Sequence, residues 1–303
     1  MIRASISTSI LFALALLLAG PHTVHAAESY DSCAGFITSI PTVISTPGTW
    51  CLRQDLTSAM SNGIAIDIQS DNVAIDCNDF RIDNSAAGVG TNSFGIHADT
   101  RSNITVRHCN IRGFAEGISL QGYTGGHVIE DNRLEGNTYI GIYIFAEGAI
   151  MRRNQVLNTG GSTQIASAYG INTISAVDIL DNTVSGVTAR SGGNGEAAGI
   201  YGFLLDSTSN KYDSGNSTNG NRVRGVHKDG TGRAYGIYYY DFIPATHVVL
   251  RNNVLVGDGD AGSIGLDCPG LTTTNGRAKG NVINGFATSI GGCGDAGGND
   301  LTH

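Results

Sequence analysis

A short phrase recurs along the chain: a hydrophobe, two residues, Asn, one residue, a hydrophobe, one residue, Gly. Clear copies are Ile129-Glu-Asp-Asn132-Arg-Leu134-Glu-Gly136 and Ile179-Leu-Asp-Asn182-Thr-Val184-Ser-Gly186, with looser copies from Val249 and Ala278. The asparagine column reads Asn78, Asn132, Asn154, Asn182, Asn221, Asn252 and Asn281, with Cys109 in one slot. Four residues on, the glycine slot holds Gly113, Gly136, Gly186, Gly225 and Gly285; Asn158 takes it once, as the next best residue at positive φ. Ile82 and Val256 depart from the pattern. A second phrase, Gly followed by Ile or Leu, alternates with the first at Gly63, Gly95, Gly117, Gly141, Gly170, Gly199, Gly236 and Gly265. The shortest interval in the asparagine column, 22 residues, sets the bare repeat, and the excess elsewhere is loop.

These segments alternate apolar and polar residues with period two and are too short for helices. A unit of this size, with two or three short strands, cannot bury its apolar face alone. Stacking units at about 4.8 Å gives a parallel sheet along each face and a continuous core. Stacked asparagine amides can then hydrogen-bond from coil to coil. The repeat is too short for a propeller blade. The 43 glycines are about twice the usual share of roughly 7% but keep no three-residue period, which excludes collagen. A hydrophobic share of 41% is enough for a real core.

Residues 1–26 read as a secretory leader: Met-Ile-Arg, an apolar stretch centred on Ile10–Leu18, then Val24-His25-Ala26 before the expected cleavage. The apolar run is too short to span a bilayer, so no membrane partner is expected after its removal. The chain is expected to be secreted or periplasmic. All six cysteines lie beyond the leader, and an even count in an exported chain suggests disulfides. Cys33–Cys51 and Cys268–Cys293 are the expected pairs. Cys77 and Cys109 lie one coil apart but one residue out of register, and their pairing stays open. The net charge of −8 argues against a nucleic-acid partner.

Chemistry is expected on the Gly-Ile strands. Their Ile faces inward, so the residue after it and the one two further on face outward. The first outward column reads His97, Ser119, Tyr143, Asn172, Tyr201, Tyr238, Asp267; the second reads Asp99, Gln121, Phe145, Ile174, Phe203, Tyr240, Pro269. Tyr143, Phe145, Tyr201, Phe203, Tyr238 and Tyr240 thus gather on one face. An apolar patch of this kind marks a binding site unless loops fold over it. Excursions at 186–198, 225–235 and within 204–219 carry Arg190, Glu196, His227, Lys228, Asp229 and Arg233. Gly257-Asp258-Gly259-Asp260 resembles a calcium loop but lacks the later ligands of an EF-hand, so Asp258 and Asp260 are the candidates for Ca²⁺; no other cofactor is expected.

The phrases resemble those of right-handed parallel β-helix proteins of the pectin-lyase-like superfamily. The opening is similar to that of secreted bacterial members: Cys33, then Thr46-Pro47-Gly48-Thr49-Trp50-Cys51-Leu52, then Asp71-Asn-Val-Ala-Ile-Asp-Cys-Asn78. The resemblance covers about residues 33–295 and implies an all-β solenoid: a single-stranded right-handed parallel β-helix of about eight coils. The domains are expected as a leader over 1–26, an N-terminal cap over 27–62 and the β-helix repeats over 63–303. The superfamily includes polysaccharide lyases, glycoside hydrolases and epimerases, and also tailspikes. Its paired-aspartate and Gly-His-Gly, Asp-Pro-His-Glu and arginine-proline signatures are absent from this chain. For a lyase arrangement, His227, Lys228, Asp229 and Arg233, with Tyr238, are candidates by neighbourhood only. The expectation is a monomer that binds a polysaccharide along the aromatic face; action on it as a lyase, hydrolase or epimerase stays open. The alternative is a non-catalytic surface, structural or adhesin-like module.

Overall fold

The computed structural model describes residues 30, 32–122, 124–204, 216–241 and 247–302. The expected leader and most of the 204–219 excursion lie outside the described residues. Each repeat becomes one coil of three strands. In one coil these are Val128–Glu130, Arg133–Glu135 and Ile140–Phe145, which belong to the first, third and second sheets respectively. The corner between the first two lies at Asp131-Asn132, with Asp131 at φ 55°; the next is at Gly136, φ 64°. Among the described residues the first sheet has eleven strands and the other two have ten each, all paired in parallel. The protein is a right-handed parallel β-helix. The second sheet has two strands more than the Gly-Ile phrases count, because its end strands, Thr42–Ile44 and Thr288–Gly291, lack that phrase. Residues of the expected cap supply Thr42–Ile44, Gly48–Leu52 and Leu56–Thr57, which join the same three sheets.

The core is a set of stacked columns. Ile96, Ile118, Ile142, Ile171, Ile200, Ile237 and Leu266 are fully buried one above another. The glycine before each also points inward. A Cβ on Gly170 would lie 2.6 Å from the carbonyl oxygen of Gly199, and one on Gly117 would lie 2.7 Å from that of Gly141. Close approach of the backbones, rather than a left-handed φ, requires glycine there. In the first copy the phrase is misplaced: Ile66, not Ile64, pairs with Ile96, so Ala65-Ile66 occupies the place read as Gly63-Ile64.

The asparagines form a ladder. The side-chain amides of Asn132, Asn154, Asn182, Asn221, Asn253 and Asn281 each donate to the next coil's amide oxygen at 2.9–3.1 Å, ending on Asn299. The same oxygens accept the backbone N–H of the preceding asparagine. Two residues differ from the expected column. Asn253 replaces Asn252, which turns the corner at φ 51°; the strand Val254–Val256 begins one residue later than the phrase implied. Asn78 stays off the ladder and donates instead to the Leu52 carbonyl.

All three disulfides form: Cys33–Cys51, Cys77–Cys109 and Cys268–Cys293. The corner after Cys77 is longer than its neighbours, with Asn78 and Asp79 both at positive φ before Phe80. That slack brings Cys77 within a Cα–Cα distance of 4.7 Å of Cys109 despite the register difference.

Candidate ligand-binding face

The outward columns of the second sheet stack in register. Ser119, Tyr143, Asn172, Tyr201, Tyr238 and Asp267 pair coil to coil, as do Phe145, Ile174, Phe203 and Tyr240. A third outward column was missed in the sequence. Because the Gly and the Ile of each phrase both face inward, the residue before the glycine turns outward, which a strict alternation does not predict. This column carries Glu116, Ile140, Tyr169, Ala198 and Tyr235. The signal was available in Tyr169-Gly170 and Tyr235-Gly236.

The rings form a continuous chain. Tyr201 and Tyr238 stack nearly parallel, 4.7 Å apart with 10° between planes. Tyr169 lies 4.6 Å from Tyr201, and Tyr139 lies 5.9 Å from Tyr169. Tyr235 adjoins Tyr238, and Phe203 links Tyr201 to Tyr240. Tyr169, Tyr201 and Tyr235, with Ile140 and Ala198, make a small apolar cluster separate from the main core, and Tyr139, Tyr143, Phe203 and Tyr238 pack against it. Tyr201 is only 8% exposed and Tyr169 and Tyr235 are equally covered, whereas Tyr143, Phe145, Phe203, Tyr238 and Tyr240 are half-buried. Of the six rings named from sequence, Tyr201 is thus buried and the other five are half-buried: part of the platform is its own core.

Successive loops wall this face. The Asp229 carboxylate accepts the Asn194 N–H at 2.9 Å, and the Asn194 side chain accepts that of Thr231 at 3.1 Å. Arg190 donates to the Thr163 carbonyl at 2.7 Å. The last residue of each loop, Glu196 or Arg233, precedes a second-sheet strand in the same register, with the Ala197 N–H bonded to the Arg233 carbonyl. The Tyr169 hydroxyl donates to Glu196 at 2.6 Å. Arg233 interacts with Tyr235 and Asp267. Of the loop residues named from sequence, Glu196 and Arg233 therefore reach the rings. Lys228 is tied to the Gly230 carbonyl at 2.7 Å, and Asp229, held below the usual carboxylate range by backbone N–H donors, staples the loops.

His227 lies between Asp258 and Asp260, at 3.3 Å from Nε2 and 3.7 Å from Nδ1. The carboxylates contact different ring nitrogens and do not converge with the imidazole on one point. Among the described residues, no group of three or more His, Cys, Asp or Glu side chains is arranged to hold a metal ion.

Burial governs the titration of the face. It pushes the Tyr143 and Tyr238 hydroxyls up to about 12, with Glu116 adding to the first and Tyr235 to the second. Tyr169 and Tyr201 are raised further by burial and by Glu196. The Glu116 and Asp267 carboxyls are also raised by burial; a Ser119 hydrogen bond opposes this for Glu116 and Arg233 opposes it for Asp267. At neutral pH the tyrosines are neutral hydrogen-bonding groups, not bases. Two acceptors here lack donors: Glu116 Oε2 and Asn172 Oδ1. Asn172 is 8% exposed and sits in register between Tyr143 and Tyr201. On the third sheet a cavity of about 280 Å³ is also lined by charges, but its Arg81 and Arg133 pair with Asp55 and Glu135.

The model of the family described as periplasmic copper-binding protein (NosD) matches residues 42–222, more than half of the chain. Among solved structures the chain is similar to the Dettilon tailspike protein (gp208), at 15% identity and TM-score 0.47, over 86% of this chain and 60% of that one. It is similar to the A-module of the Azotobacter vinelandii mannuronan C-5 epimerase AlgE6, at 13% identity and TM-score 0.41, over 90% and 79%. It is also similar to the Streptococcus pneumoniae surface protein and adhesin PfbA, at 8% identity and TM-score 0.37, over 88% and 90%. The chain thus spans 60% of the tailspike's length. No curated protein sequence matches it.

Proposed function

The chain belongs to the periplasmic NosD family, and from that premise we propose that it is an exported β-helix that binds a polysaccharide along the tyrosine-lined face of its second sheet. The secreted or periplasmic location expected from the leader agrees with the family, and three disulfides suit an oxidising compartment. One observation carries the reading: Asn172, buried and with its Oδ1 lacking a donor, is flanked in register by Tyr143 and Tyr201, and the half-buried rings Phe145, Phe203, Tyr238 and Tyr240 continue the same two outward columns of the sheet. Rings of this kind stack on the apolar faces of sugars, each contributing on the order of 0.5–1.5 kcal/mol on the scale of aromatic pairs, and Asn172 offers an acceptor to a sugar hydroxyl.

Among the described residues, copper, named in the family's description, has no matching donor set. All six cysteines are in disulfides, Met151 is fully buried in the core, and the group of His227, Asp258 and Asp260 diverges. The described residues do not fit the ion, and the proposed function does not involve it. Binding without catalysis is the form of the proposal best supported. Burial keeps the tyrosines protonated, Glu196 accepts from Tyr169, and Lys228 and Asp229 are occupied in the loops.

A second reading, a structural module whose rings are a private outer core, is favoured by the low exposure of Tyr169, Tyr201 and Tyr235. The half-exposed rings separate the two. Replacing Tyr143 and Tyr238 together by Ala should weaken polysaccharide binding by about 5- to 100-fold and lower Tm little, as followed by affinity electrophoresis and calorimetry. A parent that retains no polysaccharide, together with a double variant that melts many degrees earlier, would establish the structural reading.

A further inference from the structure

Among the described side chains, charge around the rings is unbalanced. Glu116, Glu196 and Asp267 adjoin the tyrosines from three different coils, and Arg233 is the cation that acts on them. Arg233 is shared with Asp267 and Tyr235 at one end of the face. Glu116 lies at the other end, four coils from the strand that Arg233 precedes, along the register Glu116, Ile140, Tyr169, Ala198, Tyr235. At about 4.8 Å per coil that is some 19 Å, well beyond screening distance in physiological salt. Glu116 therefore has no cation beside it on its own part of the platform, and its Oε2 has no donor.

The open hydrogen-bonding capacity has the same sign as the charge. A carboxylate can only accept, and Asn172 also presents its oxygen without a donor. The tyrosine hydroxyls can donate or accept, so they do not discriminate between ligands. A group that fills this face must supply donors. A sugar hydroxyl or ammonium does so, and an ammonium also gains from the negative faces of the rings. A uronate or sulfate group would set acceptor against acceptor and charge against like charge, which costs more in a half-buried site than in water.

Resting on the polysaccharide-binding reading above, we infer that the ligand is a glycan free of anionic groups, neutral or amino-bearing, and that Glu116 with Asn172 enforces this choice against polyuronates. The face is then a selector, with the stacked rings supplying affinity for any sugar and the two acceptors supplying the discrimination.

The test is calorimetric titration of the full mature chain with three hexasaccharides: one of glucosamine, one of neutral glucose and one of galacturonate. A neutral or amino ligand should bind at least about tenfold more tightly than the galacturonate. Added salt should weaken the glucosamine arm and leave the glucose arm unchanged, which identifies the source of the donors. Glu116→Gln should narrow the preference by about threefold or more. Should that variant misfold, the charge preference of the parent still decides the matter. Galacturonate binding as tightly as the others, or a folded Glu116→Gln with an unchanged preference, would overturn the inference while leaving the polysaccharide reading intact. Failure of all three sugars to bind would overturn both.

Discussion

Two columns of side chains run the length of this β-helix, an asparagine column inside and a tyrosine-centred column outside, and they treat their polar atoms in opposite ways. Inside, each amide from Asn132 to Asn281 both accepts from one neighbour and donates to the next. Asn182 also donates to the Met151 carbonyl, so it has no open capacity. Outside, Asn172 occupies the same kind of position between stacked neighbours, is nearly as buried, and has an oxygen with no donor. Buried polar groups are ordinarily satisfied, and an exception calls for an explanation. A closed hydrogen-bond column serves the fold, whereas under the proposed function an open one serves a ligand.

The largest expected effect lies on the inner column. Asn182→Ala removes the acceptor of two donors, the Asn154 N–H and its side-chain amide, in a fully buried site. The loss should be about 4 kcal/mol, since each stranded buried group costs roughly 1–3 kcal/mol. Urea unfolding checks this, and a loss under about 1 kcal/mol would mean that the ladder is ornamental.

An intermediate case is His127, which is buried and half satisfied: Nδ1 accepts the Ile104 N–H at 3.2 Å, while Nε2 has no partner. Burial lowers its pKa from 6.5 to about 4. The unfolded chain therefore takes up a proton as pH falls through 6.5, before the folded chain can. The stability that depends on the neutral ring is complete above pH 6.5, declines between 6.5 and 4, and is lost below that. The total is about 3 kcal/mol at 1.36 kcal/mol per unit. Thermal melts across this window should show the slope in the parent and lose most of it in His127→Gln.

The smallest effect is expected where the comparison is sharpest. Asn172→Leu replaces an amide whose oxygen has no donor by an apolar group of similar size, so stability should change by less than about 1 kcal/mol or rise slightly. Polysaccharide binding should weaken in the same protein. A large loss of stability would show that Asn172 is held by the fold after all, and that the two columns do not differ in kind.

Much of the inner column was legible as spacing. A ladder bond needs the same residue in every coil, so Asn132, Asn154, Asn182 and Asn221 recur in one phrase. The reading slipped at Asn252, where two asparagines stand together and the spacing alone does not say which turns the corner. The outer face was half legible. Tyr143, Tyr201 and Tyr238 follow from alternation, but Tyr169, Tyr235 and Glu116 do not, because two consecutive residues, the glycine and the isoleucine, both face the core. Glu196 and Arg233 were seen as loop charges without a destination. Loop-on-loop bonds such as those of Asn194 and Asp229 bring them to the rings, and no periodicity encodes those bonds.

The chain by itself determined the solenoid and the ladder, because each is a local rule repeated: period-two burial, an amide at a corner, a glycine where backbones close in. Tertiary structure alone decided which rings stay accessible, which carboxylates go uncompensated and whether Cys77 meets Cys109. Those depend on where loops of unequal length settle and on how far a corner can stretch. Such distances are set between coils, among residues some 20–40 positions apart in sequence, rather than within any one repeat.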